Sequence, residues 1–301
     1  MSGISVVIVT HNSRETVPAL LAALRDHVPA TDVIIVDNAS SDGTADLIAR
    51  DFPGVRLIAR GSNVGLSAGV NEGVAAASGA YVAVLNPDIR FQADALSPLA
   101  DYLRAHADVG VVAPKLLNDD GTLQFSCRAF PGHATALFSR YSLLTRLFPR
   151  NAASRRYLMF DFDHRTERDV DWASGAALMF PRAVFDAVGG WDPAFFLFSE
   201  DVDFCKRVHD AGYRVVYQPA IEMHHGIGIS TSAAPRVVVE RHKSMWRYYR
   251  KHMRSNIALD AVIATGIAAR CGWLLASGAA KRITKRAPAS GQAPGAAKHR
   301  T

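Results

Sequence analysis

The first ninety residues alternate short apolar runs with helical patterns, and this alternation constrains the fold more than any other feature of the sequence. The apolar runs, at residues 6–9, 33–36, 55–58 and 81–85, are rich in β-branched residues and almost uninterrupted. Such runs are typical of strands that are buried on both faces of a sheet. Helical patterns at residues 18–27, 42–50 and 66–77 separate them. Strands that alternate with helices predict an α/β fold, in which a mostly parallel sheet carries helices on both faces.

Three of the predicted strands are each followed directly by a cluster of polar residues. The clusters are Thr10-His11-Asn12, residues 37–43 (Asp-Asn-Ala-Ser-Ser-Asp-Gly) and Asn86-Pro87-Asp88. Right-handed crossovers place the carboxyl ends of parallel strands along one edge of the sheet, where open α/β sheets bind ligands. We therefore expect the three clusters to meet at that edge and to line a nucleotide-binding cleft.

Glycines at positions 65, 69 and 73 are spaced by four residues, which puts them on one face of the third predicted helix. A face without Cβ atoms can approach a strand or a ligand closely. The spacing matches neither the G-x-G-x-x-G dinucleotide fingerprint nor a phosphate-binding lysine loop. The sequence therefore disfavours hydride-transfer enzymes and P-loop enzymes.

Asp37 and Asp88 are carboxylates at the ends of predicted strands, and each has a functional and a local interpretation. Asp37 is suited to accept hydrogen bonds from a base or a ribose, while residues 40–42 are also good caps for the next helix. Asp88 suits a hard divalent cation that also touches a diphosphate, whereas Asn-Pro-Asp is also a good turn sequence. The residues alone leave these interpretations open.

A second group of ionisable residues lies further along the chain. Glu200, Asp201 and Asp203 surround the start of a helix predicted over residues 202–211, where acids ordinarily complement the helix dipole. Like charges in apolar surroundings also raise the pKa of one carboxyl group, which favours a general base. His224 and His225 follow a strand-like run at residues 215–217. An imidazole beside a carboxylate suits Mn²⁺ better than Mg²⁺.

Taken in order, these segments resemble the family 2 inverting glycosyltransferases of the GT-A fold, and within them the bacterial rhamnosyltransferase-like group. The resemblance covers roughly residues 3–250 and implies a Rossmann-like sheet. The ordered set of segments is specific to this family, although each segment is short. The matching segments are residues 5–12, 36–44, 63–73, 86–88, 174–176, 189–192, 195–197, 200–203 and 224–225.

The resemblance implies which residues bind the two substrates. On the donor side, the family's contacts to the nucleotide correspond to Thr10, Asn12, Asp37, Asn38, Asn63, Gly65 and Asn86. The donor-sugar and acceptor sites correspond to Trp172, Gly175, Trp191 and Asp192.

The resemblance also implies a divalent cation, Mg²⁺ or Mn²⁺. Asp88 corresponds to the last residue of the family's DxD metal-binding motif, whose first carboxylate is replaced here by Asn86. His224 or His225 is then the second ligand from the protein. The family's catalytic base lies in the Glu200-Asp201 pair, and we assign it to Asp201, with Glu200 as the alternative.

The implied reaction is an inverting transfer of a sugar in a single displacement. The subgroup suggests dTDP-rhamnose as the nucleotide-sugar donor, and a saccharide or lipid-linked saccharide of the cell envelope as the acceptor. Two other classes stay open: a nucleotidyltransferase-type enzyme that acts on nucleotide diphosphates, and a non-catalytic protein that binds nucleotide sugars.

The net charge of +6 hides an asymmetry between the two ends of the chain. Residues 241–301 carry 13 Lys or Arg and a single acidic residue, so that this tail is +12 and residues 1–240 are −6. An acidic main domain argues against nucleic acid as a partner. We expect a GT-A domain over residues 1–240, with a nucleotide-binding half (1–115) and an acceptor or catalytic half (116–240). A helical extension (241–286) and a disordered tail (287–301) follow.

Residues 257–280 are largely apolar, but Asp260 and Arg270 interrupt them, which argues against a clean membrane span. Two interpretations stay open: an interfacial helix attracted to an anionic membrane surface, and a soluble helix that covers the core. The chain shows no signal-peptide pattern, and its three cysteines suggest no disulfide framework. We therefore expect a cytoplasmic protein at the inner face of the cell membrane.

Overall fold

A ten-stranded mixed sheet lies at the centre of the computed structural model, which describes residues 3–133, 152–159, 161–226 and 234–286. The strands are β1 (Ile4–Thr10), β2 (Asp32–Asp37), β3 (Arg56–Ala59), β4 (Tyr81–Leu85), β5 (Ile89–Arg90), β6 (Val109–Leu117), β7 (Leu123–Gln124), β8 (Cys127–Arg128), β9 (Arg168–Asp169), β10 (Trp172–Ala173), β11 (Ala177–Pro181) and β12 (Arg214–His225). Their order is β3-β2-β1-β4-β11-β6-β12-β5, with β7 beside β6 and β9 beside β12. β8 and β10 form a separate antiparallel pair.

Helices flank the sheet and follow the strands in the predicted alternation. They are α1 (Val17–His27), α2 (Thr44–Asp51), α3 (Leu66–Ala76), α4 (Leu96–Ala105), α5 (Ala152–Leu158), α6 (Arg182–Ala187), α7 (Glu200–Asp210), α8 (Pro235–His252) and α9 (Ile257–Arg286). The expected α/β fold with a mostly parallel sheet and a C-terminal helix is confirmed.

The carboxyl ends of the parallel strands meet at one edge of the sheet, where the polar clusters were expected. β1 to β4 are parallel to one another, and β6 is parallel to β12. β11 runs antiparallel between β4 and β6, so that its first residue, Ala177, pairs with Leu85 at the end of β4. The residues just before β11 therefore lie at the same edge as the segments that follow β1, β2 and β4.

Two apolar layers, one on each face of the sheet, form the core. Successive side chains of β1 alternate between them: Val7 and Val9 belong to one layer, and Val6 and Ile8 to the other. Each buried aliphatic side chain of this kind stabilises the fold by about 1.5–3 kcal/mol relative to an exposed one. The near-continuous apolar pattern of the strands is therefore a direct consequence of burial on both faces.

The glycine face of α3 allows this helix to lie close to β1. A Cβ atom built on Gly73 would lie 2.3 Å from Cγ1 of Val7, and one on Gly69 would lie 2.9 Å from Cγ1 of Val9. Neither position has room for a side chain. The close approach brings the start of α3 to the sheet edge that carries the polar clusters.

The two C-terminal helices differ in how they contact the rest of the protein. α8 packs on the α/β body and is continuous across residues 240 and 241, where the sequence predicts a domain boundary. α9 contains a 23-residue stretch, Ile257–Ala279, that is long and apolar enough to cross a membrane, and only 6% of its most apolar window is buried. The expected disordered tail, residues 287–301, lies outside the described residues.

Candidate active site

The ends of β1 and β2 are joined by hydrogen bonds around the carboxylate of Asp37. Oγ1 of Thr10 donates to Oδ1 of Asp37 across 2.8 Å, and the hydroxyl and N–H of Ser40 donate to the same carboxylate. Asp37 is only 2% exposed. The structure thus fixes Thr10 and Asp37 in one orientation at the predicted nucleotide edge, and it also shows that Asp37 closes the turn before α2.

Two asparagines connect the neighbouring loops. Asn12, which has a positive φ of 54°, accepts the N–H of Ser41 on its Oδ1 at 2.8 Å. The buried Asn38 donates its Nδ2 to the carbonyl of Gly65 at 3.0 Å. These bonds bring three of the predicted donor-side segments together.

The start of α3 is held by the loop that leads to α7. The N–H of Gly65 donates to Oδ1 of Asn63 at 2.9 Å. Gly65 has a φ of 90°, and a Cβ atom there would lie 2.7 Å from the carbonyl oxygen of Phe196. Only glycine fits this position. The same carbonyl accepts the N–H of Leu66, and the carbonyl of Phe195 accepts the hydroxyl of Ser67. Residues 195–196 therefore link the donor-side loops to α7.

Asp88, Asn86 and His225 lie together at the end of β4. Nε2 of His225 is 3.3 Å from Oδ1 of Asp88 and 3.1 Å from Nδ2 of Asn86. Nδ1 of His225 is 2.7 Å from Oε1 of Gln124, which orients the ring so that Nε2 faces Asp88. A Cβ atom on Gly226 would lie 3.2 Å from Oδ2 of Asp88, so the end of β12 approaches the carboxylate closely.

This arrangement fits a divalent cation. Oδ1 of Asp88 and Nε2 of His225, 3.3 Å apart, are close enough that both would contact one ion, and a carboxylate with an imidazole is a common ligand pair. A hydrogen bond from the far nitrogen of a ligating imidazole to an oxygen is the usual support for such a ligand, and Gln124 is in that position. Within the described residues no group of three His, Cys, Asp or Glu side chains could hold a metal. Asp88 and His225 are therefore the two described side chains that would hold a divalent cation, if one binds at this edge together with the substrate.

His224 lies in different surroundings from His225. Successive residues of a strand point to opposite faces, and β12 extends to His225. Nδ1 of His224 lies 3.4 Å from the carbonyl oxygen of Asn118. Of the two histidines that the sequence left as alternatives, only His225 is placed beside Asp88.

Asp201 is held at the start of α7 by two backbone donors. Its Oδ2 accepts the N–H of Gly175 at 3.0 Å, and its Oδ1 accepts the N–H of Val202 at 2.8 Å. Burial raises the pKa of Asp201, and these hydrogen bonds oppose the rise. The positive charge of Arg128 opposes it as well. The carboxylate thus combines a fixed orientation with a raised pKa, as a general base requires.

Glu200, the neighbour of Asp201, is in a less favourable position for proton transfer. Its side chain is only 5% exposed, and its Oε2 has no hydrogen-bond partner among the described residues. Burial raises the pKa of Glu200 well above its usual range, and the charge of Asp201 raises it further. Of the two carboxyl groups, Glu200 has the surroundings that disfavour its charged form more strongly.

Asp203, the third acid of this group, has a structural environment. It is fully buried, and its Oδ1 lies 2.7 Å from both Nζ of Lys251 and Nε2 of His252, while Arg207 contacts Oδ2. Burial acts to raise the pKa of Asp203, but the hydrogen bonds from His252 and Lys251 keep it below its usual value. Asp203 therefore anchors α8 to α7.

The four residues predicted for the donor-sugar and acceptor sites differ in how far they are buried. Gly175 lies directly over Trp191, because a Cβ atom on Gly175 would be 3.0 Å from Cη2 of the indole. Trp191 itself is fully buried, so it supports the site from beneath without an exposed surface of its own. Asp192 pairs with Lys251 at 2.7 Å, and Trp172, which is 8% exposed, donates its Nε1 to the carbonyl of Ala129.

Two residues of the site carry no signal in the sequence. Gln124 and Arg128 lie in a region without strand or helix periodicity, and each reaches its partner through the fold. Gln124 contacts His225, and Arg128 lies within electrostatic range of Asp201. No local motif marks either residue, since both contacts join distant segments of the chain.

Solved structures with the same architecture are glycosyltransferases of the GT-A class. A mannosyltransferase from Pyrobaculum calidifontis in complex with GDP-Man and Mn²⁺ matches with a TM-score of 0.56 and 18% identity, over 97% of this chain and 76% of that one. S. aureus TarS 1–349 in complex with UDP matches with a TM-score of 0.52 and 14% identity, over 93% of this chain and 72% of that one. The fold is thus a GT-A fold.

Sequence comparisons give the family. The model for "Glycosyl transferase family 2" matches residues 5–162, and that for "Glycosyl transferase family group 2" matches residues 138–277. An N-acetylglucosaminyl-diphospho-decaprenol L-rhamnosyltransferase of Mycobacterium tuberculosis is 30% identical over 251 residues, which are 75% of this chain and 81% of the relative. Rhamnosyltransferase WbbL of Escherichia coli is 25% identical over 267 residues, 85% and 97% of the two chains. The chain therefore belongs to glycosyl transferase family 2.

This membership confirms the resemblance inferred from the ordered motifs and makes the protein a glycosyltransferase with rhamnosyltransferase relatives. It sets aside the two alternatives, a nucleotidyltransferase and a non-catalytic nucleotide-sugar-binding protein.

Proposed function

We propose that the protein is a metal-dependent inverting glycosyltransferase that moves rhamnose from dTDP-rhamnose to a hydroxyl group of a lipid-linked or cell-envelope saccharide. The observation that carries this proposal is the pairing of two sites at the carboxyl edge of the sheet. Asp201, held by Gly175, supplies a base, and the Asp88–His225 pair offers ligands for a cation.

In the proposed mechanism, residues at the ends of β1 and β2 and after β3 bind the nucleotide. We assign the base and ribose to Thr10, Asn12, Asp37 and Asn38, and the Asn63–Gly65 turn lies on the same side. Their mutual hydrogen bonds hold the binding surface in shape before the donor arrives. Such preorganisation lowers the cost of ordering on binding.

We assign the cation to Asp88 and His225, with Asn86 beside them. When bound, a divalent cation neutralises the charge that develops on the leaving nucleoside diphosphate. A mannosyltransferase and GalNAc-T7, two proteins of this fold, have been solved with Mn²⁺, which supports Mn²⁺ or Mg²⁺ here. Because Oε1 of Gln124 accepts a hydrogen bond from Nδ1 of His225, the proposed tautomer leaves Nε2 without a proton, as a ligand requires.

Asp201 is the proposed general base. It takes the proton from the acceptor hydroxyl as the oxygen attacks the anomeric carbon on the face opposite the leaving group, which inverts the configuration. A single displacement needs no nucleophile from the enzyme. Glu200, whose pKa is raised by burial and by the charge of Asp201, is assigned a supporting role.

The relatives support the proposed substrates. The name of the Mycobacterium tuberculosis relative describes transfer of an L-rhamnosyl group to N-acetylglucosaminyl-diphospho-decaprenol, and WbbL is named as a rhamnosyltransferase. We propose a similar acceptor class here, a saccharide joined through a diphosphate to a polyprenyl lipid. No nucleic acid is proposed as a partner.

We also propose that the enzyme works at the inner face of the cell membrane and associates with it through the C-terminal helices. α9 exposes Ile257 (85%), Val262 (59%) and Trp273 (61%). The adjoining α8 carries a cavity of about 370 Å³ lined by Lys243, Trp246, Arg247 and Arg250. An exposed apolar helix beside a basic, aromatic surface is typical of interfacial anchoring to anionic lipid.

The proposed organisation keeps the two halves of the GT-A domain, residues 1–115 for the nucleotide and 116–240 for the acceptor and base. Because α8 crosses residue 240 and is held by Asp203, we propose that its residues up to His252 function as part of the catalytic body. The membrane-facing extension then begins with α9.

A donor screen tests the proposed function. The purified enzyme is incubated with dTDP-rhamnose, UDP- or GDP-sugars, a polyprenyl-diphospho-N-acetylglucosamine acceptor and Mn²⁺, and release of nucleoside diphosphate is measured. We expect acceptor-dependent release from dTDP-rhamnose that stops in excess chelator. Release from another donor alone would contradict the rhamnosyl assignment, and full activity in chelator would contradict the metal assignment.

A further inference from the structure

Arg128 is a half-buried arginine whose position is fixed by aromatic rings. It lies in β8 directly opposite Trp172 of β10. Its Cζ is 5.6 Å from the ring centroid of Trp172 and 5.9 Å from that of Tyr157 in α5. Such contacts hold the guanidinium through its face and leave its N–H groups at the edge.

The guanidinium of Arg128 makes no direct ion pair and no hydrogen bond with the residues that the structure describes, and the carboxylate of Asp201 acts on it only at longer range. Arg207 and Arg214, in the same half of the molecule, pair directly with carboxylates. A partly desolvated guanidinium without a direct anionic partner is unfavourable, and its planar donors match the oxygens of a phosphate. The position is therefore suited to an anionic group of a ligand.

We propose that Arg128 binds the diphosphate of the acceptor and so selects acceptors in which the sugar is joined to a diphosphate. This inference rests on the proposed function. It names the protein residue that would recognise the diphosphate of the proposed acceptor. The base must touch the acceptor hydroxyl, and Arg128 acts electrostatically on Asp201, so it lies on the acceptor side. The diphosphate of the donor has its own proposed ligands at Asp88 and His225.

The register of the small β8–β10 sheet supports this placement. Trp172 pairs with Arg128 and Ala173 with Cys127, and the carbonyl of Ser126 accepts the N–H of Ser174 at 2.7 Å. Gly175, whose N–H holds Asp201, follows directly. One short element thus carries both the cation for the acceptor phosphate and the donor that positions the base.

The test compares two acceptors with the same sugar, a polyprenyl-diphospho-N-acetylglucosamine and a neutral alkyl N-acetylglucosaminide, at saturating donor. Arg128→Gln should lower the preference for the diphosphate acceptor, measured as the ratio of the two kcat/KM values, by about tenfold or more through its KM. Arg128→Lys keeps the charge but loses the planar guanidinium, so its ratio should lie between those of the unmodified enzyme and Arg128→Gln. The control is Arg168→Gln, since Arg168 lies over Phe162 at 4.9 Å and should leave the ratio unchanged.

An unchanged ratio in Arg128→Gln, or a rise confined to the KM of the donor, overturns the proposal. If the unmodified enzyme uses neither acceptor, the proposed acceptor class is wrong. Binding of inorganic pyrophosphate then tests whether Arg128 binds a diphosphate. Calorimetry in chelator should then show binding that Arg128→Gln weakens at least about tenfold and Arg168→Gln does not. Equal binding by both variants overturns the proposal.

Discussion

The backbone N–H of Gly175 donates a hydrogen bond to Oδ2 of Asp201 across 3.0 Å. Gly175 precedes β11, the one antiparallel strand between β4 and β6, whereas Asp201 is the second residue of α7. The bond therefore ties the proposed base to the central sheet. It orients a carboxylate whose second oxygen is already bonded to the N–H of Val202.

Substitution of Gly175 tests this relationship. In Gly175→Ala the new Cβ would lie 3.0 Å from Cη2 of Trp191 and 3.3 Å from Cβ of Asp201, so that the base must shift. A misplaced catalytic group loses rate steeply, and we expect kcat to fall about tenfold to a hundredfold with little change in the KM of the donor. Gly54→Ala is the control, because a Cβ atom there meets nothing within 4 Å. Unchanged kcat in Gly175→Ala would show that the position of Asp201 does not depend on its close packing against Gly175.

Steady-state kinetics of two isosteric variants distinguish Asp201 from Glu200. Asp201→Asn should reduce kcat by about 10²–10⁴-fold, because the amide cannot take a proton, and should leave donor affinity nearly intact. Glu200→Gln should have the smaller effect, since Glu200 is buried and its pKa lies well above its usual range. The reverse order of effects would assign the base to Glu200. Loss of donor affinity with unchanged turnover in Asp201→Asn would exclude Asp201.

The fold could be predicted from the sequence because each element is specified locally. The predicted strand at residues 81–85 has the bounds of β4, and the apolar run at residues 6–9 lies within β1, because burial on both faces leaves a continuous apolar signal. The convergence of Thr10, Asp37 and Asp88 on one edge followed from strand direction alone. These inferences needed no knowledge of tertiary contacts.

The parts of the site that depend on long-range contacts could not be predicted. The sequence offered Glu200, Asp201 and Asp203 as one acidic group, and only the packing of α8 shows that Asp203 contacts Lys251 and His252. His224 and His225 were equivalent as long as the predicted strand ended at residue 217. Once β12 extends to His225, strand alternation separates them.

Metal dependence should distinguish the two histidines. His225→Ala should raise the Mn²⁺ concentration needed for half-maximal activity by about tenfold or more, because one of two protein ligands is lost. His224→Ala is the matched control and should leave that concentration unchanged, since His224 faces the carbonyl of Asn118. Excess Mn²⁺ should partly restore the activity of His225→Ala, which a folding defect would not allow. Chelation should abolish the activity of the unmodified enzyme, and Asp88→Ala should have the same effect. Equal metal requirements in the two histidine variants would contradict the assignment.

The cluster around Asp203 should appear as a pH-dependent contribution to stability. Asp203→Asn should lower the free energy of unfolding at pH 7 by about 2–4 kcal/mol, because it leaves the cations of a buried group without their anion. The pKa of Asp203 is lowered in the fold. Its contribution is therefore complete above the unfolded pKa of about 3.9 and is lost as the pH falls below it.

Urea denaturation of both proteins at pH 7 and at low pH measures this difference. We expect the difference in the free energy of unfolding between Asp203→Asn and the unmodified protein to become smaller at low pH. Asp51→Asn, which removes an exposed pair with Arg50, should change little at either pH. A gap that is constant with pH would mean that Asp203 does not act through its charge.

Vesicle flotation tests the proposed role of α9. The full-length protein should float with vesicles that contain anionic lipid, because Ile257, Val262 and Trp273 expose apolar surface on a helix that is otherwise little buried. A protein truncated after Arg254 should stay at the bottom of the gradient. In the full-length chain, Val262→Asp and Trp273→Asp should each reduce flotation, while Glu167→Gln, a change on the catalytic body, should not.

If the basic residues of α8 also contribute, flotation should be weaker on neutral vesicles, which lack anionic headgroups, and at high salt, which screens the attraction to them. Equal flotation of the full-length and truncated proteins would place the membrane contact outside α9, and equal flotation on neutral and anionic vesicles would exclude a contribution from the basic face of α8.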